Sequence, residues 1–339
     1  MVKVKHYISS HFVKSFLMIF LPFFFIISLV YLVKIATLTS KIQITFFELL
    51  ALYSYSITDI IFYTLPLSFV AALANVLIKL SQDNELIVLY ALGLKAKRVL
   101  RPLLLLGLLF SLLLGSISFF AMPLSKQLYK SFKEKKKSEA KLNLSPGKLG
   151  QKFGNYYIYI KDKNKNTLND IVIYNRTDKN NEQFFAAKTA KLNHKTNITS
   201  LLLNDGYGYT YAKNKLQQAK YQSLEVYDEI KEKPFKFENI ISYWQRAFIE
   251  KKMMHRALFF IFISLIPLLS VYLVASFSII NPRYQANHSF LIILFTTLFL
   301  YFIGSTLEKI GTPLFLVISI ILVTLLGQWL FHRRVSKYF

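Results

Sequence analysis

Two groups of charged residues in this chain could do recognition chemistry. The first lies in residues 81–102, SQDNELIVLYALGLKAKRVLRP. Asp83 and Glu85 supply carboxylates near its start, and Lys95, Lys97, Arg98 and Arg101 supply cations near its end. Between them, Leu86, Ile87, Leu89 and Tyr90 recur at i, i+1, i+3 and i+4, the pattern of one helix face. A short amphipathic helix with an acidic start suits docking into a soluble partner. The spacing predicts that helix over about 82–92, with Ser81 as its N-cap, Asp83 and Glu85 in the first turn, and Gly93 as its stop. The second group is Lys34 and Lys41, just past the first long apolar run. Ammonium groups placed there can pair with phosphate.

Neither group is catalytic, and no enzyme motif accompanies them. The chain has no G-x-x-x-x-G-K-[ST] loop, no G-x-G-x-x-G and no H-E-x-x-H. His6, His11, His194, His255, His288 and His332 are scattered without ligand spacing, and there is no cysteine. The expectation is a protein that is not an enzyme and carries no cofactor or metal. If ATP drives its work, a partner must bind it.

Long apolar runs must position these charges. Of the 339 residues 54% are hydrophobic, yet the net charge is +24, so apolar and charged residues are sorted into blocks. Six runs meet the roughly 20 residues needed to cross a bilayer core: about 12–33, 56–78, 102–122, 257–280, 289–307 and 312–331. The first run is too long for a signal peptide and lacks a small-residue cleavage site, so it is read as a retained span. Short loops set orientation. Lys3, Lys5 and Lys14, the lysines and arginines of 79–101, Arg283, and Arg333, Arg334 and Lys337 all fall on one side when six spans are drawn. Both termini and the 81–102 segment are therefore expected in the cytoplasm. The polar block between spans three and four is expected outside it.

That block divides the chain into 1–122, 123–255 and 256–339. It opens with a lysine-rich stretch, LSKQLYKSFKEKKKSEAK, which reads as a solvated helix continuing from span three. From about 150 to 230 the pattern turns to period two, with short strands expected at 156–160, 171–174, 184–187, 198–203, 207–211 and 224–227. The Asn204-Asp205-Gly206-Tyr207-Gly208 run reads as a turn. Strands so spaced suggest a sandwich, a jelly roll or an open barrel. A helix is expected again over 240–254.

Ion-coupled transport usually needs ionisable residues deep in the spans, and here they are sparse. Asp59, Glu48 and Glu308 sit near predicted outer ends, and Asn75 reads as a helix–helix hydrogen bond. For Lys34 and Lys41 two readings stand: stems that snorkel to anchor the helix, or a cationic mouth for an anionic amphiphile. The balance over 123–255, 26 Lys and Arg against 13 Asp and Glu, adds a field that favours the second.

Several stretches together resemble the lipopolysaccharide export permeases of the LptF/LptG family. They are Leu65-Pro66-Leu67, the Ser81…Glu85-Leu86 acidic loop, the Ala91-Leu92-Gly93 turn, Arg101-Pro102 and Met122-Pro123, with Tyr7, Ile8, Phe12 and Lys14 at the start. The resemblance runs nearly the full length. It implies an α-helical polytopic membrane protein with six transmembrane helices, three on each side of an inserted periplasmic all-β, jellyroll-like domain. It implies a bacterial inner-membrane subunit of an ABC transporter that extracts lipopolysaccharide. The implied partners are a sister permease, an LptB-type ATPase dimer, and LptC- and LptA-type periplasmic proteins. By this resemblance Asp83, Glu85 and Gly93 belong to the ATPase-coupling helix, and Lys34 and Lys41 contact the lipid's phosphates. Asn281-Pro282-Arg283 and residues 140–147 incline the resemblance toward LptF. Two other readings stand beside it: another ABC exporter of envelope lipid or lipoprotein, typically with four spans, and a non-transport membrane scaffold.

Overall fold

The structure, a computed structural model, describes residues 4–39, 44–142, 146–153, 156–164, 167–178, 181–195, 198–212, 215–227, 236–280 and 288–337. Lys41 and Asn281-Pro282-Arg283 lie outside the described residues. Residues 1–129 with 237–339 form one compact unit, and 130–236 form another.

Among the described residues six helices are long and apolar enough to span a membrane, as the hydropathy blocks require. They are α1 (Val4–Thr39), α2 (Phe46–Gln82), α4 (Ala96–Ser116), α7 (Lys251–Ser278), α8 (Ser289–Ile310) and α9 (Pro313–Phe331). Between α2 and α4 sits the short α3 (Glu85–Ala91). Helix α4 runs through a π-helical turn, Ile117–Ala121, into α5 (Met122–Leu142), so span three and the lysine-rich stretch are continuous. The helix expected over 240–254 is two pieces. Helix α6 (Ile240–Gln245) passes through a 3₁₀ turn, and Glu250 in extended conformation then caps α7.

Helix α7 is the hub of this unit. Lipid supplies no hydrophobic drive for helix association, so close backbone approach has to do it. Three glycines provide that approach. A Cβ on Gly107 of α4 would lie 3.0 Å from Pro267 O. One on Gly304 of α8 would meet the Ile263 side chain at 3.1 Å, and one on Gly327 of α9 would meet Tyr272 at 3.2 Å. Helix α1 joins by a different device: Asn75 Nδ2 of α2 donates to Ser15 Oγ at 3.1 Å, the interhelical bond read from the sequence.

The second unit is a six-stranded antiparallel sheet in sequence order: β1 (Gln151–Phe153), β2 (Tyr156–Asn164), β3 (Thr167–Asp178), β4 (Asn181–Lys195), β5 (Ile198–Ala212) and β6 (Lys215–Tyr227). Ile158, Ile160, Ile171, Ile173, Leu201 and Leu203 bury one face. The turn expected at 204–208 is absent: 198–203 and 207–211 belong to a single strand, β5. Ile160 pairs with Ile171 and Asp162 with Asn169, and the same gap recurs across β4, β5 and β6. Lys161, Asp170, Lys188, Asp205 and Gln222 thus share one rung without bridge pairing. Asp170 and Asp205 both take φ of 50° there. Crossing that rung, the buried positions step by three instead of two, from Leu203 to Gly206 and from Leu168 to Ile171. Asp is tolerated at positive φ, so a composition that signals a turn here marks a crease inside the strands. Lys161 Nζ lies 3.4 Å from Asp170 Oδ2 along it.

Candidate functional site

The two charged groups lie at opposite ends of the helical unit. At one end α2 closes on Asp83, whose N–H donates to Lys79 O at 2.9 Å. Asn84 turns the chain at φ 59°, and α3 starts at Glu85. Glu85 is therefore in the first turn, whereas Asp83 caps the preceding helix. Ser81 is not the N-cap. It is fully buried in the last turn of α2, 2.8 Å from Leu77 O and 3.3 Å from Ser278 O, and accepts the Ile280 N–H at 3.3 Å. A hydroxyl near a helix end has the same local sequence signature whether it caps the next helix or staples the last one.

Gly93 ends α3 as expected. At φ 80° it donates to Tyr90 O at 2.9 Å, and Leu94 N–H reaches Leu89 O at 3.2 Å, the paired bonds of a Schellman stop. The stripe of Leu86, Leu89 and Tyr90 packs onto the core of the membrane bundle. Burial pushes the Tyr90 hydroxyl well above its ordinary pKa, so it stays neutral. Val88 and Leu92 are left exposed. The face available to a partner thus carries Asp83, Val88 and Leu92, with half-buried Glu85 beside it.

Glu85 is held from below. Tyr7 of α1 donates its hydroxyl to Glu85 Oε2 at 2.7 Å, across 78 residues of sequence. Tyr7→Phe keeps the ring and removes the donor. A part-exposed charge-assisted bond of this kind is worth about 1 kcal/mol. Amide exchange in α3, followed by mass spectrometry, is then expected to rise about fivefold; unchanged exchange would show that the bond holds nothing.

At the other end Lys34 of α1 lines a cavity of about 170 Å3 with Tyr31, Asp59, Ser125 and Lys126. Lys34 Nζ stands 5.5 Å from the Tyr31 ring centroid, and Lys126 Nζ stands 4.7 Å from that of Phe260. The structure thus brings Lys34 together with two residues the sequence did not assign to a site. Lys126 was hidden in a lysine run that reads as solvated, and Asp59 reads as interfacial. Only the packing of α5 against α2 and α7 distinguishes them. Among the described residues, no group of three or more His, Cys, Asp or Glu is placed to hold a metal.

An apolar groove of about 660 Å3 lies along the last turns of α4 and the first half of α7. Leu112, Phe119 and Phe120 line it together with Ile241, Trp244 and Leu265. Trp244 Nε1 donates to Phe119 O at 3.0 Å, inside the π-helical turn. Such turns free a carbonyl from the α ladder, and here the indole takes it.

Six spanning helices with an antiparallel β unit inserted between the third and fourth define a polytopic membrane protein with an extramembrane domain. The model of one family, the lipopolysaccharide export system permease LptF/LptG, matches residues 6–333. The chain belongs to that family. No curated protein matches it.

Proposed function

We propose that this chain is one permease subunit of an exporter that lifts lipopolysaccharide from the bacterial inner membrane. It pairs with a sister permease on an LptB-type ATPase dimer, and it hands the lipid to LptC- and LptA-type periplasmic proteins. Both termini and α3 face the cytoplasm, and residues 123–255 face the periplasm. Asp83, at the end of α2, and Glu85, on the helix stopped by Gly93, dock the ATPase. Lys34 and Lys41 take the phosphates of the lipid, whose acyl chains need only apolar surface. Residues 140–147 and 281–283 favour LptF over its sister.

The observation that supports this most is α1. One 36-residue helix carries Tyr7, bonded to Glu85, near its start and Lys34 near its end. At 1.5 Å per residue those positions are about 40 Å apart. A stroke delivered at α3 therefore has a continuous helical path to the phosphate end. The six spans also weigh against a four-span exporter.

The test is a photocrosslinker in place of Lys34, with lipopolysaccharide in proteoliposomes. The expected result is lipid capture about tenfold above that at Ile321, a residue on the exposed face of α9. Equal capture at the two positions would leave only a snorkelling lysine. Co-purification of the ATPase with the full chain tests the other end independently.

A further inference from the structure

The end of the bundle that holds Glu85 contains a second cavity, of about 420 Å3, between the first turn of α4 and the last turn of α9. Its polar wall is Lys97, Gln328 and His332, and its apolar wall is Leu325, Trp329 and Phe331. Phe331 is fully buried, 5.5 Å from the Tyr272 ring, so the floor is fixed. Beyond it a π-helical turn, His332–Ser336, is pinned by buried Val335. That turn lays Arg333 over the Trp329 ring at 5.4 Å and Arg334 over the Phe277 ring at 4.4 Å. A guanidinium stacked on a ring keeps its N–H edge for an anion. Among the described residues, no carboxylate pairs with Lys97, Arg333 or Arg334.

We propose that this cavity binds the phosphate headgroup of one anionic phospholipid from the surrounding leaflet. A free phosphate could use the cations. It could not use the apolar half of the wall, which continues into the exposed flank of α9 at Ile318, Ile321, Leu322 and Leu325. A two-tailed amphiphile uses both halves. Basic pockets between membrane helices are the known setting for such headgroups, and a tryptophan at that depth marks the interface. The proposal rests on the spanning helices and not on the export reading.

Native mass spectrometry of the full chain in detergent tests it, with dioleoylphosphatidylglycerol and dioleoylphosphatidylcholine titrated separately. The anionic lipid is expected to bind about tenfold more tightly. Lys97→Gln is expected to weaken it about fivefold without touching phosphatidylcholine, and Lys191→Gln in the β unit is expected to change neither. Equal affinity for the two lipids, or phosphatidylglycerol binding unchanged in Lys97→Gln, overturns the proposal. Displacement of the lipid by millimolar inorganic phosphate overturns it in favour of a soluble-anion site. Loss of a co-purifying ATPase from Lys97→Gln with lipid retained overturns it in favour of a protein contact.

Discussion

Glu85→Lys is expected to abolish ATP-driven lipid release and to lose the co-purifying ATPase, while the chain remains folded. The side chain is half-buried and its carboxylate already accepts one bond from Tyr7. A partner cation docking there would complete a charge pair shielded from water. Reversing one member of such a pair costs about 2–5 kcal/mol, a thirty-fold to several-thousand-fold loss of affinity. Glu85→Gln separates charge from shape. It can still accept from Tyr7 but removes the charge, and should fall between wild type and lysine. The measurements are ATPase recovery on affinity purification and lipid release from proteoliposomes. Wild-type release by Glu85→Lys with the ATPase still bound would remove Glu85 from the coupling surface.

Gly206→Val is expected to unfold the β unit and leave the helical unit intact. Gly206 follows the creased rung in β5, and a Cβ there would run into the Ala186 carbonyl oxygen and the Tyr221 ring. The carbonyl is backbone and cannot step aside. Tyr221 is itself tied down, its hydroxyl donating to that same oxygen at 3.0 Å. Overpacking usually costs about 1–3 kcal/mol, and a collision with sheet backbone lies at or above the top of that range. Gly208→Ala is the comparison. Its Cβ would press on the Phe185 ring at 3.3 Å, which can give way, and would stand 4.0 Å from the Ala219 carbonyl oxygen, an ordinary contact. Limited proteolysis should cut Gly206→Val throughout 130–236 and spare Gly208→Ala. Equal resistance in the two variants would show that the sheet has room the geometry denies it.

The six spans were legible because a bilayer demands a length and a composition that few other contexts impose. Gly93 was legible because its role is local: the stop needs one residue at positive φ, and the bonds that close it come from the preceding turn. Ser81 was misread because its partner, Ser278, lies 197 residues away and leaves no trace in the neighbouring sequence. Asn204-Asp205-Gly206 was misread for a related reason. Residues that favour positive φ serve a turn or a crease equally well, and only the pairing of Gly206 with Ala187 and Tyr221 decides between them. Lys126 and Asp59 join Lys34 only through packing between separate helices, so no window along the chain contains the cavity they line. Lys41 lies outside the described residues.

Helix α1 has a thermodynamic consequence. It touches α3 through Tyr7 and lines the cavity at its other end through Lys34, with Pro22 as the one break in its ladder of donors. If its position is shared by both ends, the ends are linked and the linkage is reciprocal. On the roles proposed for Glu85 and Lys34, any factor by which a docked ATPase changes the grip on phosphate must equal the factor by which bound phosphate changes the grip on the ATPase. Under that proposal cargo is a ligand that reports its own arrival, and an empty permease would hold its motor differently from a loaded one.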